Sequence, residues 1–162
     1  MPAARAIDSS ALTDVQPLTT SATATLPVPA GAAFEALADI GAAPDWLSVL
    51  RSARVLEHDP SGRPARVAFV GRLRRASIGY TLEYSYDDEQ LTIAWRSPAG
   101  ASAQVNGEAS FVPLSATACM ISYTVSLEVP VGPWADDGFE QHPASAVVSW
   151  FREHLRSQAP RS

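Results

Sequence analysis

In SATATLPV (residues 21–28), Ala22, Ala24, Leu26 and Val28 alternate with Ser21, Thr23 and Thr25. A period of two predicts a strand with one apolar face. Pro29 to Gly31 stop it, and Ala33, Phe34, Leu37 and Ile40 then recur at the spacing of a short amphipathic helix. Gly41 is placed to end that helix, because a left-handed cap costs glycine nothing. Pro44 suits the first turn of a second short helix, with Trp46, Leu47, Val49 and Leu50 as its apolar positions.

The pattern then returns to period two. SARVLEHD is followed by a PSGRP turn. ARVAFVGRLRR puts Val67, Phe69, Gly71 and Leu73 on one face and Arg66, Arg72 and Arg74 on the other. SIGYTLEYSY sets Ile78, Tyr80, Leu82, Tyr84 and Tyr86 against Thr81, Glu83 and Ser85, the clearest alternation in the chain. LTIAWRS, a strand ending near Phe111, and ACMISYTVSLEV follow, separated by short turns. In the last of these, Ile121, Tyr123, Val125, Leu127 and Val129 share a face. From about Ala144 a helix carries Ala144, Val147, Val148, Phe151 and Leu155 as one stripe.

Strands joined by short turns form an antiparallel meander, whose apolar face must be covered. The expected fold is therefore α+β: a bent antiparallel sheet of about seven strands around a C-terminal helix, with two short helices between strands one and two. One helix cannot fill the concavity of such a sheet, so a cavity between helix and sheet is expected. The helix pair would close one end, with Trp46 as a plug or anchor. Residues 1–20, rich in Ala, Ser, Thr, Pro and Asp without clear period, read as a flexible leader, and residues 21–158 as a single domain.

Val28 through Trp46, together with LTIAWRS, NGEASFVPLS and the late amphipathic helix, resemble the START-related helix-grip superfamily. The likeness is to its polyketide cyclase/dehydrase and lipid-transfer (SRPBCC) branch, and spans roughly Ala22 to Leu155. The resemblance implies a helix-grip fold and binding of a lipid, quinone or polyketide-like molecule, with catalysis in some members only. VGPWADDGFEQHP departs from it by interrupting the region where such proteins begin their long helix, so the WADDGF loop is expected at the cavity mouth.

Composition removes several alternatives. The net charge of −5 argues against nucleic acid as a partner. All 12 basic residues are arginine, which excludes Schiff-base lysine chemistry and a P-loop lysine. The single cysteine, Cys119, rules out an internal disulfide and reads as structural. No run approaches the ~20 apolar residues of a spanning helix and no secretory signal is visible, so a cytoplasmic protein without integral membrane association is expected.

Candidate ligand-binding residues follow from inward parity. Tyr80, Tyr84 and Tyr123 would bring hydroxyls into an apolar cavity, as fixed polar contacts for a ligand, or would be core aromatics reaching water at the sheet rim. Tyr86, beside a turn, is the weaker case. Phe69, Trp95 and Phe111 share that parity, and Trp46, Val147 and Phe151 face the sheet from the helices. Asn106 and Glu108 fall on the outer face unless a bulge at Gly107 inverts them.

His58, His142 and His154 lack metal-ligand spacing, so neither metal nor cofactor is expected. His142 is the candidate general base, or a solvated loop residue. The pairs Asp87–Asp88 and Asp136–Asp137 lie in turn-like sequence. The run Arg72, Arg74, Arg75 could meet an anionic headgroup or acyl carrier, or be the solvated end of a hairpin. The leading expectation is a carrier, sensor or sequestering protein for a small apolar ligand. The second is an aromatase/cyclase-type enzyme moving protons with Tyr or His, and the third an interaction module using the arginines. Exposed sheet edges leave a homodimer open.

Overall fold

The computed structural model describes residues 18–73, 76–101, 104–128 and 142–158, the side chains of 72, 73, 76 and 128 excepted. The expected leader to residue 17, the WADDGF loop, the Asp136–Asp137 pair, and Arg74 and Arg75 lie outside the described residues, as does the side chain of Arg72.

The elements run β1 (Leu18–Leu26), α1 (Ala30–Ala38), a 3-10 helix (Ile40–Asp45), β2 (Leu50–His58), β3 (Pro64–Leu73) and β4 (Ala76–Asp87). They continue as β5 (Thr92–Arg96), β6 (Gln104–Ser115), β7 (Ala118–Glu128) and α2 (Pro143–Gln158). All pairings are antiparallel, in the order β1-β7-β6-β5-β4-β3-β2. The meander thus closes by bringing the first strand back beside the last. This is the anticipated α+β architecture of seven strands and a C-terminal helix.

Two local expectations need correction. The strand expected from Ser21 starts at Leu18, because Leu18, Thr19 and Thr20 pair with Leu127, Ser126 and Val125. Thr20 also accepts the Ala144 N–H on its Oγ1 at 3.1 Å, tying β1 to the start of α2. The second helix does not start at Pro44. Asp39, not Gly41, follows α1, and its N–H donates to the Glu35 carbonyl. A 3-10 helix with Pro44 inside it then fills the link, and Leu50 already opens β2 opposite Gly71. So short a connection has no room for a second α-helix, and tighter i→i+3 bonds replace it.

The α2 stripe is as expected: Ala144, Val147, Val148, Phe151 and Leu155 are buried, and the helix packs on β1 and β7. α1 packs Phe34 and Leu37 toward β5, β6 and β7. The 3-10 helix lies on β2 and β3. Between them the three helices pack on every strand but β4, which among the described residues receives no comparable helix packing.

One residue that periodicity does not single out ties the far end together. Arg63 ion-pairs with Glu35 of α1 (2.7 Å) and with Asp88 in the β4–β5 turn, while its guanidinium lies over the rings of Phe34 (4.9 Å) and Tyr86 (5.4 Å). Its backbone N–H, like that of Ser61, donates to Asp59 Oδ1, so the turn that presents it is held by an aspartate. Both carboxylate partners are largely exposed, so solvent screens the ion pairs and the stacking carries more of the effect. Arg63→Ala is expected to lower stability by about 1–2 kcal/mol, measured by urea unfolding. An unchanged midpoint would remove Arg63 from the account of the fold.

Candidate functional site

The inner face of β3, β4, β5 and β7 carries a continuous chain of aromatic rings. Tyr80 stacks on Phe69 (5.4 Å), Phe69 meets Tyr84 (6.4 Å), Tyr84 meets Trp95 (6.2 Å) and Trp95 meets Tyr123 (5.3 Å). Register explains this proximity. Phe69 pairs with Tyr80, and Tyr84 with Trp95. Trp95 in turn faces Gly107, and the two rows beyond bring Tyr123 beside it.

Gly107 permits the arrangement. A Cβ there would stand 2.5 Å from the Thr124 carbonyl oxygen and 2.6 Å from Cζ2 of Trp95. The indole therefore lies directly against the β6 backbone. The ladder is regular through Gly107, without the bulge that would invert its neighbours. Asn106 and Glu108 are accordingly exposed on the outer face. There they line, with Ser110, Ser122, Thr124 and Ser126, a polar depression of about 350 Å³ on the side of the sheet away from the tyrosines.

The phenols differ in what their hydroxyls do. Tyr86 donates to the Pro64 carbonyl at 2.6 Å. Among the described residues the hydroxyls of Tyr80, Tyr84 and Tyr123 make no hydrogen bond, although burial disfavours ionisation at each. Burial pushes Tyr80 up to about 12 and holds Tyr84 and Tyr123 well above the ordinary phenol range. Tyr84 is raised further by Tyr80, Tyr123 and Tyr86, and Tyr123 by Tyr80. Tyr80 and Tyr84 keep intermediate accessibility despite that enclosure.

The remaining candidates collect elsewhere. Trp46 packs on Phe151 (5.1 Å) and His154 (6.0 Å), and Phe111 meets Phe34 (6.3 Å) and Phe151 (6.4 Å). This second cluster, with buried Val147, joins α2 and α1 to the sheet. Trp46 thus meets α2. Inward parity alone placed Phe111 with Trp95, yet among the described residues only Phe111 of the two has ring contacts to α1 and α2. His142 is exposed, and its carbonyl accepts the Ala146 N–H at the start of α2. Cys119 is fully buried, and burial raises its thiol pKa. Among the described residues no three His, Cys, Asp or Glu side chains converge as a metal site requires. No described helix is long and apolar enough to cross a membrane.

The four tyrosines of the chain all have raised pKa values, Tyr86 through burial and the nearby Asp59 carboxylate. The unfolded chain loses phenol protons near the ordinary value of 10, whereas the native state retains them. Their contribution to stability is complete below pH 10, and falls as pH rises from there to about 12 for Tyr80. Tyrosinate absorbance is expected to appear together with loss of near-ultraviolet circular dichroism. A phenol titrating near pH 10 in the intact fold would contradict the burial.

The sequence profile of the polyketide cyclase/dehydrase and lipid transport family matches residues 17–159. No curated protein sequence matches the chain. Among solved structures, a START superfamily protein from Mycobacterium smegmatis aligns with TM-score 0.75 at 15% identity, covering 87% of this chain and 99% of that one. The Zhui aromatase/cyclase from Streptomyces sp. R1128 aligns with TM-score 0.68 at 18% identity, over 90% and 100% of the two chains. A norcoclaurine synthase point mutant from Thalictrum flavum, in complex with a transition-state analogue, aligns with TM-score 0.60 at 12% identity, over 89% and 97%. At such identities these neighbours establish the helix-grip fold and nothing finer. The profile match spans most of the chain, and the protein belongs to the polyketide cyclase/dehydrase and lipid transport family.

Proposed function

We propose that the protein binds a small, largely apolar ligand against the ring chain of Phe69, Tyr80, Tyr84, Trp95 and Tyr123, as a carrier, sensor or sequestering protein. The observation that carries this reading is that, among the described residues, Tyr80, Tyr84 and Tyr123 bring three phenol hydroxyls without a hydrogen-bond partner to one patch, where Tyr80 and Tyr84 keep accessible ring surface. Apolar contact would supply most of the affinity, at ~25 cal/mol per Å² buried, and the hydroxyls the orientation. Trp46, Phe111, Val147 and Phe151 are assigned to the packing that closes the covered end.

The alternative, cyclase-type proton transfer, requires a base. Phenols held protonated act as donors or acids. Of the three described histidines, His58 is exposed at the end of β2, His142 is exposed beside α2 and His154 stacks on Trp46. Among the described residues none of the three has a ring contact to that chain of aromatics, which favours binding over catalysis.

Native mass spectrometry of the protein purified from its own host tests the reading. A co-purifying molecule released unchanged on denaturation is expected, with Tyr84→Phe lowering its retention only several-fold. Turnover of a linear polyketone precursor that falls 100-fold in the same variant would instead establish catalysis.

A further inference from the structure

Among the described residues β1 and β2 are the two edges of the sheet, and they are built differently. β2 carries Arg51, Arg54, Glu57 and His58, and its pairing with β3 shifts register three times. Charges and bulges of this kind keep an edge from recruiting another strand. β1 has neither. It holds no charged residue and pairs with β7 from Leu18 to Leu26 through nine consecutive rungs without a shift. Its outward Thr19, Ser21, Thr23 and Thr25 are exposed, and the inward Leu18, Thr20, Ala22 and Ala24 stay partly accessible although α2 packs on the strand.

β1 is also close to a palindrome about Ala22. From Pro17 to Pro27 the sequence PLTTSATATLP matches Leu18 with Leu26, Thr19 with Thr25, Thr20 with Ala24 and Ser21 with Thr23. We infer that β1 is a dimer interface, pairing antiparallel with β1 of a second copy of this chain about a two-fold axis at Ala22. Residues directly opposite in an antiparallel pair share a face. Register about Ala22 therefore sets Thr19 against Thr25 and Ser21 against Thr23 on the outside, and Leu18 against Leu26 on the inside. The outer hydroxyls already bond in this manner to β7, Thr19 with Ser126 at 2.8 Å and Ser21 with Thr124 at 2.9 Å, and the added strand continues those rows. A two-fold interface must be self-complementary, which the palindrome supplies and an uncharged strand permits without like-charge repulsion. Proline has no N–H to donate, so Pro17 and Pro27 set the ends of the pairing segment. α2 leaves room for it. The helix is tied to the edge at Thr20 through Ala144, and at Phe151 it already reaches Phe111 of β6, two strands in. Thr20 of one copy would lie opposite Ala24 of the other, which sets the two helix starts about 14 Å apart along the strand.

Sedimentation equilibrium of the full chain at neutral pH is expected to give twice the mass of one chain, dissociating on dilution. Thr23→Lys and Ser21→Glu should each raise the dimer dissociation constant about tenfold, because each sets two like charges diagonally across the axis. The double variant sets opposite charges directly against each other and should return association to within about threefold of the original. Far-ultraviolet circular dichroism checks that each variant is folded. Ala22→Cys needs no charge: with oxidised glutathione it should form an interchain disulfide, since directly opposite Cα atoms lie about 4.5–5.5 Å apart and the native Cys119 is fully buried. A monomer up to millimolar concentration overturns the inference. So does a dimer that neither single change weakens, which would use another face, or a folded double variant that fails to restore it.

Discussion

Phe151→Ala is expected to lower the unfolding free energy by about 3–5 kcal/mol. The side chain is 0% exposed and touches both Trp46 and Phe111, so its removal leaves a cavity where α2, the 3-10 region and β6 meet. Those two neighbours belong to separate elements, neither of them α2, which limits how far the site can collapse. Urea unfolding gives the loss directly, and the near-ultraviolet signal of Trp46 should weaken with it. A change below about 1 kcal/mol would mean that α2 is anchored elsewhere. Because Phe151 lies in the packing cluster, retention of the co-purifying molecule, measured where the variant is folded, should change little.

Gly107→Ala is expected to cost about 2–3 kcal/mol, as overpacking of a filled interior does. The new methyl would meet the Thr124 carbonyl at 2.5 Å and the Trp95 indole at 2.6 Å, and neither belongs to a flexible chain end. Trp95 must turn away, and since it lies between Tyr84 and Tyr123 the ligand face moves with it. Stability and ligand affinity should therefore fall together, unlike the Phe151 case. A double-mutant cycle with Trp95→Phe separates the two contacts. Coupling near zero would place the whole penalty on the β7 backbone and release Trp95 from the argument.

The two variants divide aromatic residues that inward parity had grouped together. Phe111 and Trp95 each occupy an inward position of a neighbouring strand, and nothing local distinguishes them. Phe111 meets the rings of Phe34 on α1 and Phe151 on α2, while Trp95 lies against Gly107, between Tyr84 and Tyr123. Tyr86 shows the same limit. It alternates in phase with Tyr80 and Tyr84, yet its hydroxyl is taken by Pro64, 22 residues earlier.

What the chain determined by itself was the set of faces. Alternation in β1, β4 and β7 and the stripe of α2 are local properties, because side-chain direction repeats every two residues in a strand and about every 3.6 in a helix. From them came the meander, the inner face, the outward placement of Asn106 and Glu108, and the resemblance to the family. Tertiary structure alone decided which of these faces meet. The Arg63 clasp joins Glu35 and Asp88 at separations of 28 and 25 residues. The seat of Trp95 on Gly107 depends on the β5–β6 register, and the 3-10 helix replaces an α-helix because Leu50 must reach Gly71. Those outcomes are set by distances between elements, which depend on every other contact in the fold and leave no period in the sequence.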